Sequence, residues 1–311
     1  MRFTEIETFR ALMRTGTTHK AAQLLHVTQP AVSQSLKRLE SQAGLQLFQR
    51  TGGRLLPTPE AQALMQEVDR AFVGMESIEH RLRSLRDFGV GRLEISSYPA
   101  FGLGFMPRAL ARLQAELAKD QPSPSLWPQV SLQVHSSKEV RERVNMGLCD
   151  FGLMADELPL GGINHSYFAR MQGVVVMPQG HALARFKTIA PKQLAEIPFI
   201  ALNPEDASRR RLEATLREHN VSLKVAAHTP YAASVCEMAL QGLGVGLVNP
   251  ITALDYVDRG LLVRRLSVEV QFACVLVLPS SKVLSKTAQA FLATMRHQLA
   301  QDEKRLKSLL K

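Results

Sequence analysis

Between residues 28 and 38 the chain sets out side chains suited to reading a duplex. Gln29 and Gln34 carry amides that donate and accept, Thr28 and Ser33 carry hydroxyls, and Lys37 and Arg38 carry fixed charge. Amides and hydroxyls match the donor and acceptor pattern of base edges, whereas Lys and Arg neutralise phosphates without reading sequence. Pro30 has no N–H and sits where the first turn of a helix needs none. Arg50 and Arg54 flank Gly52-Gly53, so a turn there adds two cations for the phosphate backbone. These nine residues are the candidate nucleic-acid contacts.

A second set lies in the remaining two-thirds of the chain. Ser96, Ser97 and Tyr98 lie at the end of and just after the expected strand RLEIS, Asn203, Glu205 and Asp206 follow PFIAL, and Thr229 and Tyr231 precede a helix expected at 232–241. Hydroxyls and free N–H groups at helix starts suit a carboxylate, and Asp156 or Glu205 suits an ammonium or guanidinium group. Singly, each is an ordinary cap or turn residue; their convergence in a cleft would make the site.

The elements that must position the first set are short helices. Ile6, Phe9, Leu12 and Met13 recur at helical spacing and Gly16 ends the run. A second helix from about Thr18 offers Ala21, Ala22 and Leu25, and HVT at 26–28 turns into a third, with the Thr28 hydroxyl as its cap. Along that helix Ala31, Val32, Leu36 and Leu39 form the inward stripe, and it ends near Ala43. LQLFQRTGGRLLPT at 45–58 reads as a basic hairpin. Together these predict a winged helix-turn-helix; the alternative is a three-helix core with a merely solvated polar face. Charge favours the former: residues 1–58 hold eight Lys or Arg against three acids, within a chain of net charge +10.

Thr58, Pro59 and Glu60 open another helix by cap, proline and dipole. Ala61, Leu64, Val68, Ala71, Met75, Ile78, Leu82 and Leu85 then step by threes and fours, a heptad seam that predicts pairing with a second copy, or else packing on the chain's own carboxy-terminal part. Beyond a hinge-like Gly89-Val90-Gly91, strand-sized apolar runs (92–96, 130–135, 150–155, 173–178, 198–203, 245–250 and 272–279) alternate with helical stretches. That alternation predicts α/β architecture with parallel sheets covered by helices.

The segment AAQLLHVTQPAVSQSLKRLESQAGLQLFQRTGGRLLPT resembles the amino-terminal winged helix-turn-helix of LysR-type transcriptional regulators. Two departures stand out. His19 occupies a position that is commonly Ser or Thr, which moves the cap of the second helix to Thr17 or Thr18; Gln34 stands where Arg is common. The resemblance implies a DNA-binding domain at 1–58, a linker and dimerisation helix at 59–88, and a two-lobed, periplasmic-binding-protein-like effector domain. Its lobes would span 91–166 with 271–300, and 167–270, the crossover points coming from the resemblance alone. It further implies double-stranded DNA, a small-molecule effector and RNA polymerase as partners, a homodimer through 59–88 assembling to a homotetramer, and no cofactor beyond a co-inducer. SSYPAFGLGFMP, CDFG, VVVMPQGH and GLGVGLVNPITALDY resemble the octopine and nopaline regulator branch in particular, implying an amino-acid-derived effector. KDQPSPSLWPQV at 119–130 looks like an insertion and reads as a surface loop or an oligomer contact.

Other classes are disfavoured. The sequence has no G-x-S-x-G, H-E-x-x-H or P-loop pattern, and GLGVG at 242–246 lacks a full dinucleotide fingerprint, so it reads as a close helix-to-strand approach. Cys149, Cys236 and Cys274 read as buried free thiols. The start, with two glutamates and no apolar segment, argues against export and for a cytoplasmic protein, which also weighs against a solute-binding protein. QDEKRLKSLLK reads as a frayed, mixed-charge helix end. Within DNA binders, a regulator whose carboxy-terminal part serves only oligomerisation remains the alternative to a sensor.

Overall fold

The computed structural model describes residues 2–51, 54–65, 67–69, 71–72, 92–120, 127–279 and 284–311. The chain divides into two units, Met1–Leu82 and Arg83–Lys311.

In the first, α1 (Phe3–Thr15), α2 (Thr18–Leu25) and α3 (Gln29–Ala43) precede the antiparallel hairpin of β1 (Phe48–Thr51) and β2 (Arg54–Pro57). Apolar residues at three- and four-residue spacing bury Ile6, Phe9 and Leu12 of α1 against Ala21, Ala22, Val32, Leu36 and Leu39, and Leu47, Phe48 and Leu55 close the core. Gly16 ends α1 at φ 67°, a left-handed conformation that favours glycine, and its carbonyl accepts the Leu55 N–H at 2.9 Å, docking the hairpin. Thr17 caps α2, accepting from the Lys20 N–H at 3.3 Å, as the His19 departure required.

Two details differ from expectation. Thr28 is the N-cap of α3 by position, but its side chain makes no cap hydrogen bond. Ala31 is exposed, because it lies one residue, about 100° of helix rotation, off the stripe that Val32, Leu36 and Leu39 define.

A fourth helix, α4, starts at 59 and is described as helical at 59–65, 67–69 and 71–72. The first part of the heptad seam packs inward on this same unit: Ala61 and Val68 are buried, with Leu64, Met65 and Phe72 half-buried against its core. Phe72 lies 5.1 Å from the Phe3 ring, and Arg10 stacks 4.2 Å over it while reaching Asp69 at 3.3 Å. Ala71 is exposed. Met75, Ile78, Leu82, Leu85 and the Gly89–Gly91 hinge lie outside the described residues.

The second unit holds two sheets. The first, ordered β4-β3-β5-β13-β6, comprises β3 (Arg92–Ser97), β4 (Gln129–Val134), β5 (Phe151–Ala155), β6 (Asn164–Gln172) and β13 (Gln271–Leu278). The other, ordered β10-β9-β11-β7-β12-β8, comprises β7 (Val174–Pro178), β8 (Thr188–Ile189), β9 (Pro198–Leu202), β10 (Lys224–Thr229), β11 (Val245–Val248) and β12 (Leu261–Leu266). The helices are α5 (Pro99–Gly102), α6 (Phe105–Asp120), α7 (Ser137–Asn145), α8 (Ala207–Glu218), α9 (Ala232–Leu240), α10 (Pro250–Val257) and α11 (Lys286–Leu309).

The sheets are mixed rather than parallel. β13 runs antiparallel to β5 and β6, and β7 antiparallel to β11 and β12. β7 follows β6 directly and β13 follows β12 through four residues, so neither has the covering helix that a parallel neighbour requires. The expected lobe boundary at 166/167 also moves: β6 belongs to the first sheet, and the chain crosses at Gly173, whose N–H donates to the Val270 carbonyl of the return crossing at 2.9 Å.

Phe101, Phe105, Phe151 and Phe291 fill the first lobe's core. Ile251 and Leu254 join them, so α10, which follows a strand of the second sheet, packs on the first lobe. Arg108 of α6 pairs with Asp255 of α10 and, at 2.8 Å, with Asp302 of α11. The carboxy-terminal end is packed, not frayed: Leu306 is buried, Leu310 rests on the second lobe's core, and Lys187 Nζ donates to the Lys311 carbonyl at 3.1 Å. The three cysteines are buried. Of the 119–130 segment, residues 121–126 lie outside the described residues, and Trp127 is half-buried. Gly246 bears out the close-approach reading of GLGVG, since a Cβ there would collide with Val235 of α9.

Candidate functional site

On α3, Thr28, Gln29, Pro30, Gln34, Lys37 and Arg38 are exposed and Ser33 is half-buried, opposite the buried Val32-Leu36-Leu39 stripe. The polar face is therefore outward because the apolar one is spent on α1 and α2. With the Thr28 hydroxyl uncommitted, the start of α3 has no side-chain acceptor and its positive dipole end is open to an anion. Gln29 Nε2 donates to Thr18 Oγ1 at 3.1 Å. Arg50 pairs with Leu55 and Arg54 with Thr51, which puts one arginine on each strand of the hairpin beside its turn.

In the second unit a cleft of about 840 Å3 opens between the lobes. Five helix N-caps line it: Tyr98 (α5), Ser136 (α7), Asp206 (α8), Tyr231 (α9) and Asn249 (α10). Ser136 forms a capping box with Glu139, Asp206 accepts from the Ser208 and Arg209 N–H groups, and Asn249 accepts from Thr252. Tyr231 supplies no side-chain acceptor, so the start of α9 is uncapped.

Tyr98, Asp156, Asn203, Glu205 and Tyr231 of the expected residues line this cleft; Ser96, Ser97 and Thr229 do not. β3 continues through Ser97, so both serines are fully buried within the sheet and the loop begins only at Tyr98. Ser97 Oγ donates to the Tyr98 carbonyl at 3.1 Å, and Thr229 ends β10, accepting from the Tyr231 N–H at 3.4 Å. Asp156 was expected to await a foreign cation; instead it holds Arg211 of α8 at 2.9 and 3.0 Å.

Sequence reasoning missed Ser136, Ser137, Glu157, Arg210 and Arg211, all on the cleft wall. The S-S-K-E run at 136–139, directly after a strand, carried a capping-box signal that would have marked the first two. Burial, reinforced by the charges of Asp206 and Asp156, pushes the Glu157 carboxyl above its ordinary value, against a bond from the Ser137 hydroxyl. Burial, then Cys274, raises the Tyr98 phenol well above its usual range. Bonds from Ser136 hold the Glu139 carboxyl low. Burial, then Arg143, lowers the His135 imidazole. The walls thus carry both signs of charge, with acids at 139, 156, 157, 205 and 206 and cations at 138, 210 and 211.

A winged helix-turn-helix joined to a two-lobed α/β unit with a ligand-sized cleft defines a DNA-binding regulator that responds to a small molecule. Residues 3–62 match the bacterial regulatory helix-turn-helix protein, lysR family, and residues 87–300 match the LysR substrate binding domain; the chain belongs to the LysR family of transcriptional regulators. It is 37% identical to the transcriptional activator protein LysR of Escherichia coli (strain K12), over 92% of this chain and 89% of that protein. It is 32% identical to the octopine catabolism/uptake operon regulatory protein OccR of Rhizobium meliloti, over 83% of each. Among solved structures, CbnR, a LysR family transcriptional regulator, superposes with a TM-score of 0.69 over 96% of this chain and 99% of its own, at 17% identity. These families and relatives are regulators, not enzymes, and the chain is a DNA-binding transcriptional regulator whose carboxy-terminal domain senses a small molecule. Among the described residues no helix is long and apolar enough to cross a membrane.

Proposed function

We propose that the exposed face of α3 enters the major groove, with Gln29, Ser33 and Gln34 facing base edges, Thr28 and Pro30 at the entering end, and Lys37, Arg38, Arg50 and Arg54 on phosphates. The interlobe cleft takes a zwitterionic, amino-acid-derived effector. Its ammonium group meets the acids around Asp156 and Glu205, and its carboxylate meets Arg210, Arg211 and the uncapped start of α9. The observation that carries this reading is a cleft walled by both signs of charge, into which five helix starts open.

Binding closes the lobes and shifts the separation of paired DNA-reading heads, an effect bounded by the effector's differential affinity for the two arrangements. The segment 59–88 pairs two copies, two dimers form a tetramer, and RNA polymerase is a downstream partner in the cytoplasm. The test is footprinting on duplexes selected by the protein, with and without a panel of amino acids and their derivatives, alongside thermal stability of the full chain. A panel member that raises the melting midpoint and moves the footprint is expected. No shift across the panel would leave the carboxy-terminal unit as an assembly module.

A further inference from the structure

Two adjacent threonines open α2, and their hydroxyls do different work. Thr17 is committed to the backbone, accepting from the Lys20 N–H at 3.3 Å. Thr18, the first residue inside the helix, has no capping duty, and its Oγ1 accepts from Gln29 Nε2 at 3.1 Å across the turn between α2 and α3. Gln29 is exposed and Thr18 half-buried, so the tether, not packing, holds the Gln29 side chain in place. Gln29 is the first helical residue of α3, at the end proposed above to enter a groove, and its neighbour Thr28 makes no side-chain cap hydrogen bond that would restrain it.

An amide reads adenine through two bonds at once, its oxygen accepting from N6–H and its nitrogen donating to N7. With one Nε2 hydrogen given to Thr18, Gln29 retains one N–H and its full Oε1, which is the pair that this reading consumes. A free glutamine side chain must lose its rotamer freedom on binding, and a tether fixed in advance removes part of that cost. We propose that Thr18 is a specificity-positioning residue: its hydroxyl orients the Gln29 amide for base recognition without itself contacting a base. This rests on the reader role proposed for Gln29.

The test uses the full chain, a duplex selected by the wild-type protein from random sequence, single-base variants of that duplex, and unrelated DNA at several salt concentrations. Gln29→Ala identifies the base pair at which discrimination is lost. Thr18→Val keeps the branched shape and removes the hydroxyl; it is expected to lower discrimination at that same pair by about threefold to tenfold, within the range of one base-edge contact. Thr18→Ser restores it, the double variant Thr18→Val/Gln29→Ala is no worse than Gln29→Ala, and affinity for unrelated DNA with its salt dependence stays at the wild-type level.

Wild-type discrimination in Thr18→Val, or equal losses on every sequence, would overturn the positioning role while leaving Gln29 as reader. Additive losses in the double variant would do the same. Undiminished discrimination in Gln29→Ala overturns the reader role and the inference with it. A melting midpoint recorded for each variant separates these outcomes from misfolding.

Discussion

Asp156, just beyond β5, and Arg211 on α8 clasp each other across the interlobe cleft through two N–H···O contacts, at 3.0 and 2.9 Å. The geometry is the two-point fork that suits guanidinium to carboxylate. Arg211 is about one-third exposed, so water screens the pair and its contribution to stability is modest, about 1 kcal/mol or less. Its larger consequence is occupancy: the two groups best placed to receive an ammonium and a carboxylate already satisfy each other.

An amine-bearing effector must displace Arg211 to reach Asp156. Asp156→Asn is expected to shift the urea midpoint of the unliganded protein only slightly, while affinity for such an effector falls by about tenfold or more through loss of the charge-assisted bond that the exchange forms. Isothermal titration of the two proteins with the best panel compound checks this. Equal affinities would show that the effector's cation is held elsewhere.

Glu157 gives the protein an unusual pH response. Burial together with Asp206 and Asp156 raises its folded-state pKa, so the folded chain holds this proton over a range where the unfolded chain has released it. Stability from this group is accordingly present at low pH and lost as pH rises from the unfolded value through the raised one, the reverse of a salt-bridged carboxylate. Glu157→Gln is expected to raise the melting midpoint at pH 7 to 8 and to leave it nearly unchanged at pH values below both pKa values. A midpoint lowered at pH 7 would mean that the carboxylate is needed in its charged form.

How much was legible in the sequence follows from where the information sits. The amino-terminal unit is built from local signals: Gly16 stops α1, Gln29-Pro30 starts α3, and the stripe through Val32, Leu36 and Leu39 tells its buried face from its exposed one. In the second unit, buried strands such as β7 and β11 announce themselves as continuous apolar runs. The edge strands β6 (NHSYFARMQ) and β10 (KVAAHT) do not, because they are largely solvent-facing and carry polar residues. The lobe crossing at 166/167, placed by the resemblance alone, fell inside β6, which no apolar run marked. The cleft was half legible. Loops after β5 and β9 were found, but Arg211 reaches Asp156 only by tertiary folding, 55 residues away, and no spacing rule announces such a pair.

Gly246 in β11 tests the contact that fixes the second lobe. Val235 of α9 lies where its Cβ would stand, and the Ile200 carbonyl lies 3.0 Å from the same point, so the added methyl must push the helix off the sheet. Overpacking of this kind costs about 1–3 kcal/mol. Gly246→Ala is expected to lose that much in chemical denaturation. A change below about 0.5 kcal/mol would mean that α9 shifts at little cost.

Arg54 separates anchoring from reading at the DNA surface. It sits at the head of β2, paired in register with Thr51, next to the turn of the hairpin. A cation there is proposed to meet phosphate, whose charge is the same at every sequence, so its removal must weaken all duplexes by a common factor and release one fewer counterion on binding. Arg54→Ala is expected to lower affinity for selected and unrelated DNA alike, and to reduce the slope of log affinity against log salt by about 1. Gln34→Ala, which removes an amide and no charge from the exposed face of α3, should keep the wild-type slope and lose discrimination at one base pair instead. Fluorescence anisotropy across a salt series measures both. An Arg54→Ala protein with unchanged slope but relaxed preference at one position would move Arg54 from the phosphates into a groove.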